Sequence, residues 1–219
     1  ENPVQALKDK ALSMIEEIGN QKIKANANII FGSSITDIDK KVDDGIVGLS
    51  VFSPPYANCF DYLEVYKLEV WLGGFAKEYS DFSKYRKKAM RSHVNSKFDN
   101  SLSHENKDVK VIADLLSTFN LWNKNIPDMI SGYFDDTTSL LQSIFPKLAE
   151  NGSIHIVVAN SVYKGVIVPT DLLIASIATQ IGYKLVSIKK ARKIRSSSQQ
   201  LVEIRHNDLM RESVIHLRR

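Results

Sequence analysis

The chain has 219 residues, 43% of them hydrophobic and 25% charged, which is typical of a folded globular protein. The net charge of +4 suits a polyanionic partner without requiring one. Cys59 is the single cysteine and the five histidines lack metal-ligand spacing, so a disulfide framework is excluded and we expect no metal. Because no stretch approaches the roughly 20 apolar residues of a membrane span, we expect a cytoplasmic protein that does not contact a membrane.

The first predicted element is an amphipathic helix. It begins after Glu1-Asn2-Pro3 and ends at Gly19-Asn20, and proline is favoured in a first helical turn. A short apolar run at residues 27–31 then predicts a strand, which turns towards Ser33 and Asp37.

The apolar run at residues 46–52 predicts a buried strand that ends abruptly, because the prolines Pro54 and Pro55 cannot continue a β-ladder. Ser53 and Tyr56 flank these prolines, so the end of the strand carries a hydroxyl, a free backbone carbonyl and an aromatic ring. In an open α/β sheet, ligands bind at the carboxyl ends of the strands. These four residues are therefore the candidate site, and the alternative is a plain turn followed by a packed tyrosine.

The tetrapeptide Ser53-Pro54-Pro55-Tyr56, followed by Ala57-Asn58 and Asp61-Tyr62, resembles the catalytic motif of the amino-methylating DNA methyltransferases. That family transfers a methyl group from S-adenosylmethionine to the exocyclic nitrogen of cytosine or adenine, and the serine form is commoner among cytosine-N4 enzymes. The resemblance implies that the Ser53 hydroxyl and the Pro54 carbonyl accept the amino protons, that Pro55 fixes the backbone and that Tyr56 stacks on the base. The implied partner is duplex DNA with a flipped target base, for which an aromatic platform returns ~1–3 kcal/mol.

The resemblance also implies cofactor contacts. An acid followed by Asn-Pro at the start of a helix, here Glu1-Asn2-Pro3, resembles the segment in which the acid holds the cofactor ribose; the alternative is that Glu1 has no such role. Ser33 stands where the family often has an acid that contacts the cofactor adenine, so Ser33 or Asp37 is the candidate for that contact. The implied cofactor is S-adenosylmethionine, without a metal.

The glycine-rich loop that cradles the methionine part of the cofactor in this family has no counterpart in residues 1–219. Gly73-Gly74 falls inside a helix predicted over residues 60–79. We therefore expect a carboxyl-terminal portion or one chain of a split enzyme, with the loop in a missing amino-terminal segment or a second chain. The predicted fold class is α/β, a Rossmann-like methyltransferase sheet that lacks its first strand and carries an inserted helical basic segment.

Two basic segments are candidate DNA contacts. Residues 84–97 contain six cations and no acid, and residues 189–195 form a second basic segment that is predicted to be flexible. The alternative for each segment is a solvated surface without a DNA contact. The residues assigned to DNA are Lys84, Arg86, Lys87, Lys88, Arg91, Asn95 and Lys97 in the first segment and Lys190, Arg192 and Arg195 in the second.

The remaining pattern predicts helices over residues 109–122, 128–149 and 169–181, the second ending at Asn151-Gly152, and strands over residues 153–159, 183–188, 201–204 and 213–217. Asn160 and Ser161 follow the first of these strands and resemble residues that line the base pocket, although a strand-to-loop turn also explains them. The predicted organisation is a methyltransferase core in residues 1–79 and 131–219 with a target-recognition segment in residues 80–130.

The sequence thus predicts a site-specific DNA methyltransferase of a restriction-modification system, with cytosine N4 favoured over adenine N6. Two alternatives stay open. One is amino methylation of RNA, and the other is a DNA-recognition subunit that is inactive without a partner chain carrying the cofactor loop.

Overall fold

The computed structural model describes residues 2–20, 25–96, 102–194 and 207–219. The chain forms two compact units, which are joined at Phe31 and Gly32. The first unit contains helix α1 (Pro3–Asn20), which confirms the predicted helix. The strand predicted at residues 27–31 is wrong, since these residues are exposed and form neither helix nor strand. An apolar run becomes a strand only when a neighbouring strand completes its hydrogen bonds, and no such ladder forms here.

The second unit mixes helices and strands along the chain. It contains α2 (Ile38–Lys41), β1 (Val47–Phe52), α3 (Tyr62–Val65), α4 (Lys67–Leu72), α5 (Tyr79–Lys88), α6 (Lys107–Ser117), α7 (Ile126–Ile144), β2 (Leu148–Ala159), β3 (Ser161–Tyr163), β4 (Val166–Val168), α8 (Thr170–Ile181), β5 (Lys184–Lys193) and β6 (Arg211–Arg218). None of the helices in the described ranges is both long and apolar enough to cross a membrane.

The main sheet has the strand order β1-β2-β6-β5. β1 and β2 are parallel, whereas β6 pairs antiparallel with both β2 and β5. This arrangement confirms the predicted α/β class and the strands expected at residues 46–52, 153–159, 183–188 and 213–217. The absence of a first strand and a glycine-rich loop stays a prediction, and the strand predicted at residues 201–204 lies outside the described residues.

One face of the sheet packs against α7 and α8 to form the core. Alternate residues of β2, Ile154, Ile156 and Val158, point into this core and are at most 1% exposed. The Tyr183 hydroxyl joins the two layers by donating to the Leu141 carbonyl of α7 at 2.8 Å. The core therefore fixes the position of the parallel pair β1 and β2, whose carboxyl ends carry the candidate site.

The helix predicted over residues 128–149 is too long. α7 ends at Ile144 because Pro146, in a short 3₁₀ turn, cannot continue it. Asn151 and Gly152 are not a helix stop but lie inside β2, where Asn151 has a φ of 61°. A Cβ on Gly152 would lie 2.8 Å from the Val47 carbonyl oxygen, so glycine permits the close approach of β1.

Three further boundaries differ from the predictions. The single helix predicted over residues 60–79 is two short helices, α3 and α4, and Gly74 follows them with a φ of 74° that favours glycine. α6 begins and ends earlier than the predicted helix over residues 109–122. The basic residues 189–193 were predicted to be flexible but continue β5, because they pair with β6 as far as Arg211.

Candidate active site

The tetrapeptide begins where β1 ends. In the parallel register Phe52 lies beside Ile156, so the carboxyl ends of β1 and β2 meet at one edge of the sheet. Ser53 is exposed there, and its hydroxyl donates to the Val157 carbonyl at 3.0 Å. Because the hydroxyl proton is directed at this carbonyl, Ser53 Oγ can act as an acceptor, and its side chain also lies within hydrogen-bonding reach of the Tyr56 hydroxyl.

Tyr56 is held by an acid from the far end of the chain. Its hydroxyl donates to Glu212 Oε2 at 2.9 Å, and Glu212 in turn accepts from Arg192 Nε at 3.0 Å and Nη2 at 2.9 Å. Burial, together with the hydrogen bond to Glu212, raises the pKa of Tyr56, whereas the bond from Arg192 lowers the pKa of Glu212. At neutral pH a neutral phenol therefore donates to an ionised carboxylate.

The loop after Tyr56 is packed against β3 and α7. The Tyr163 hydroxyl donates to the Ala57 carbonyl at 2.7 Å, and Cys59 Sγ lies 3.3 Å from Met129 Sδ and 3.4 Å from the Tyr163 hydroxyl. Burial raises the pKa of Cys59 to about 11, so its thiol stays protonated and is a poor nucleophile near neutral pH.

Asn160 and Ser161, predicted to line a base pocket, differ in their contacts. The Asn160 amide donates to the Leu209 carbonyl at 2.9 Å and accepts from the Asp171 amide at 3.0 Å, so both of its ends bind backbone. The Ser161 hydroxyl is buried and has no hydrogen-bond partner in the part of the chain that the structure describes. A base contact stays a prediction for both residues, and Ser161 is the one with free hydrogen-bonding capacity.

A cavity of about 530 Å³ opens beside the tetrapeptide. It places Ser33, the predicted adenine contact, on the same surface as Ser53, Pro54 and Pro55. Asp37 accepts from the Ser33 amide at 3.0 Å and lies 3.7 Å from Lys41. Its pKa is lowered, mainly by that Ser33 hydrogen bond. The other residues that line the cavity include Ser50, Val51, Phe52, Lys88, Met90, Leu140, Ile144 and Lys147.

The arginines of the first basic segment are engaged in ion pairs. Arg86 bonds Asp61 Oδ2 and Glu64 Oε2, each at 3.0 Å, and its side chain is 19% exposed. Arg91 is 16% exposed and reaches Asp135 at 2.5 Å and Asp136 at 2.6 Å. These acids come from other segments of the fold, so the local sequence does not reveal them.

The other residues predicted to contact DNA or the cofactor lie in several places. Lys84 pairs with Asp81 at 2.9 Å on the surface, Lys87 is exposed and Lys88 lines the cavity. The backbone amide of Asn95 donates to His93 Nδ1 at 3.1 Å. Lys190 and Arg192 lie on β5, and Asn2 and Pro3 lie at the start of α1 in the first unit. Glu1, Lys97 and Arg195 lie outside the described residues. All of these roles stay predictions.

Sequence reasoning missed Glu212, which lies 156 residues from Tyr56 and belongs to no recognisable motif. Its position follows from the sheet, where it lies opposite Ala159 of β2 and Arg192 of β5. Within the described ranges, no cluster of three or more histidine, cysteine or acidic side chains could hold a metal ion.

No protein-family model matches the chain. It is similar to the Type II methyltransferase M.BsoBI of Geobacillus stearothermophilus, with 27% identity over 223 residues that cover 89% of this chain and 44% of that protein. It is also 28% identical over 173 residues to the Type II methyltransferase M.AvaI of Nostoc sp. PCC 7120, covering 73% of this chain and 35% of that protein. The chain spans less than half the length of these relatives.

Solved structures give a weaker likeness. TTHA0409 of Thermus thermophilus, provisionally assigned as a DNA modification methylase, aligns with a TM-score of 0.40 and 12% identity over 86% of this chain and 50% of that one. The form complexed with S-adenosyl-L-methionine aligns with a TM-score of 0.42 and 13% identity, and the alignment covers 86% of this chain and 53% of that one.

Proposed function

We propose that this chain carries the catalytic motif of a site-specific DNA methyltransferase that transfers a methyl group from S-adenosylmethionine to an exocyclic amino group. The observation that carries this proposal is the position of Ser53-Pro54-Pro55-Tyr56 at the joint carboxyl edge of β1 and β2, beside a cavity. The similarity to Type II methyltransferases supports it. Cytosine N4 is the favoured target because the motif begins with serine, and adenine N6 is next.

The proposed chemistry assigns each motif residue a role. An exocyclic amino group is a poor nucleophile because its lone pair is delocalised into the ring. Ser53 Oγ and the Pro54 carbonyl accept its two protons as hydrogen bonds and favour a tetrahedral nitrogen, while the Tyr56 ring stacks on the extruded base. Since the transfer is direct and needs no enzyme nucleophile, the protonated Cys59 thiol is dispensable.

The cofactor would supply an electrophilic methyl group beside this nitrogen. The cavity of about 530 Å³ is within the range of small-ligand sites, and its mostly apolar lining, which includes Ser33, Ser50 and Ser53, suits part of a nucleoside. Ser33 is the proposed adenine contact. We assign the glycine-rich loop to an amino-terminal segment or a second chain.

The decisive experiment is transfer of labelled methyl groups from S-adenosylmethionine to unmethylated duplex DNA amplified from a bacterial genome. Ser53→Ala and Tyr56→Ala should each lower the rate at least 100-fold, since both remove a group that touches the base, while the circular dichroism spectrum stays that of the folded wild type. Cys59→Ala is the matched control and should keep the wild-type rate. Unchanged transfer by either motif variant would contradict the proposal, and nuclease digestion of the product would identify the modified base.

A second candidate is a DNA-recognition subunit that needs a partner for catalysis. The observation that favours it is the position of β1 at one edge of the described sheet, where Leu49 is 60% exposed and Val51 is 65% exposed. Exposed apolar edge strands are sites of strand pairing. Calorimetric titration with S-adenosylhomocysteine distinguishes the two: binding by the chain alone favours an autonomous enzyme, whereas DNA binding without cofactor binding favours the subunit.

A further inference from the structure

The Tyr56 ring is connected to strand β5, on the far side of β6, by a continuous chain of polar contacts. Tyr56 donates to Glu212 Oε2 at 2.9 Å, and both Glu212 oxygens accept from the Arg192 guanidinium at 2.9 and 3.0 Å. The Glu212 carboxylate is 12% exposed, whereas the Arg192 side chain is 69% exposed. The acid is therefore a fixed, enclosed link between a half-buried ring and a surface cation.

The sheet holds this acid in place. Glu212 lies opposite Ala159 at the carboxyl end of β2 and opposite Arg192 on β5. Its backbone is consequently paired on both sides, and its side chain needs only a short reach to the tetrapeptide. A carboxylate on a paired strand orients its hydrogen-bond partner more precisely than a carboxylate on a loop, because the backbone that carries it is already fixed.

The contact restricts the ring as well as the hydroxyl. A phenol O–H prefers the plane of its ring, so an acceptor in a fixed position fixes the tilt of that plane. A ring that stacks on a base must present its face at a defined tilt. Without Glu212, Tyr56 would lose the hydrogen bond that selects one tilt of its ring.

We propose, on the basis of the proposed function above, that Glu212 is a positioning residue for Tyr56 and that Arg192 serves the site by holding Glu212 rather than by contacting a DNA phosphate. The acid never touches the reacting atoms. Its whole effect passes through the Tyr56 hydroxyl. This assignment replaces the sequence-based role of Arg192 as a DNA contact.

The chain offers a matched control in the neighbouring ion pair. Lys193 follows Arg192 on β5, has a similar exposure of 68%, and lies 3.9 Å from Asp208, which is 94% exposed. Lys193→Ala and Asp208→Ala therefore remove the same charges from the same part of the surface without removing the contact to Tyr56. They should leave the turnover number unchanged.

The test measures labelled methyl transfer to the amplified bacterial DNA for the wild type, Glu212→Ala, Glu212→Gln, Tyr56→Phe and the double variant Tyr56→Phe/Glu212→Ala. Glu212→Ala should lower the turnover number about 10- to 100-fold. Glu212→Gln keeps an oxygen acceptor for the phenol and should recover most of the rate. In the Tyr56→Phe background, Glu212→Ala should have no further effect, because the hydroxyl through which it acts is absent.

Arg192→Ala separates positioning from phosphate contact. It should lower turnover while the dependence of DNA affinity on salt stays as in the wild type, whereas loss of a phosphate contact would reduce the log-log slope by about 0.9. A reduced slope, or single-variant effects that multiply in the double variant, would overturn the inference. If Ser53→Ala abolishes transfer and Glu212→Ala does not change it, the inference fails and the proposed function stands. A wild-type chain that binds S-adenosylhomocysteine but transfers no methyl contradicts both.

Discussion

The two basic segments of this chain have similar sequences but different environments. In residues 84–96, Arg86 and Arg91 are 19% and 16% exposed and bond acids from other segments of the fold. On β5, Arg192 and Lys193 are 69% and 68% exposed. A run of positively charged residues therefore does not show which of them face solvent, because folding places acidic side chains from distant parts of the sequence beside some of them.

The largest expected effect concerns Arg91. Arg91→Ala leaves Asp135, which is 3% exposed, and Asp136 without their cation, so we expect a loss of about 3 kcal/mol in the free energy of unfolding. Urea unfolding followed by circular dichroism measures this loss. The exposed Lys87 provides the control, since Lys87→Ala should change stability by less than about 0.5 kcal/mol. Equal stabilities of the two variants would contradict the difference in burial and pairing between Arg91 and Lys87.

Arg86 should show a smaller effect of the same kind. Its partner Asp61 also accepts from the Glu64 amide at the start of α3, but Glu64 itself is 48% exposed. Because solvent screens part of this pair, we expect Arg86→Ala to cost about 1 kcal/mol in the same unfolding experiment. Arg86→Lys, which cannot bond two carboxylates in the same way, should recover only part of the loss. A cost as large as that of Arg91→Ala would contradict the difference in burial.

The smallest expected effect is on DNA affinity. Lys87→Ala and Lys190→Ala, one from each basic segment, should each reduce the log-log salt slope by about 0.9 without changing stability. Fluorescence anisotropy with a labelled duplex, repeated over a series of salt concentrations, measures the slope. Arg86→Lys retains a charge and provides the control. A change confined to one segment would identify which of the two contacts the DNA backbone.

The strands were the most predictable part of the fold. Residues 46–52 and 153–159 are apolar runs that end at prolines or at a polar turn, and both become parallel strands that carry the candidate site. Residues 27–31 have a similar composition but form no strand. Apolar composition reports a tendency to be buried, whereas a strand also needs a neighbour for its backbone groups.

The tetrapeptide Ser53-Pro54-Pro55-Tyr56 was visible because its chemistry is local: a hydroxyl, two prolines and a ring in four consecutive residues. The Glu212 contact was invisible because it joins residues 156 positions apart, and only the pairing of β6 with β2 and β5 brings them together. The same holds for Asn160, whose amide is occupied by the backbone of Leu209 and Asp171.

The sequence by itself therefore determined the α/β class, the strand that ends in the tetrapeptide and the chemical character of that tetrapeptide. Hydrophobic periodicity and the effect of proline on the backbone depend on a few neighbouring residues, so a short stretch of sequence is enough to recognise them. The tertiary structure decided which cations are held in ion pairs, which polar side chains are already occupied, and that Tyr56 is tied to Glu212 and Arg192. These outcomes depend on which distant residues meet, since burial and charge pairing are properties of the folded chain.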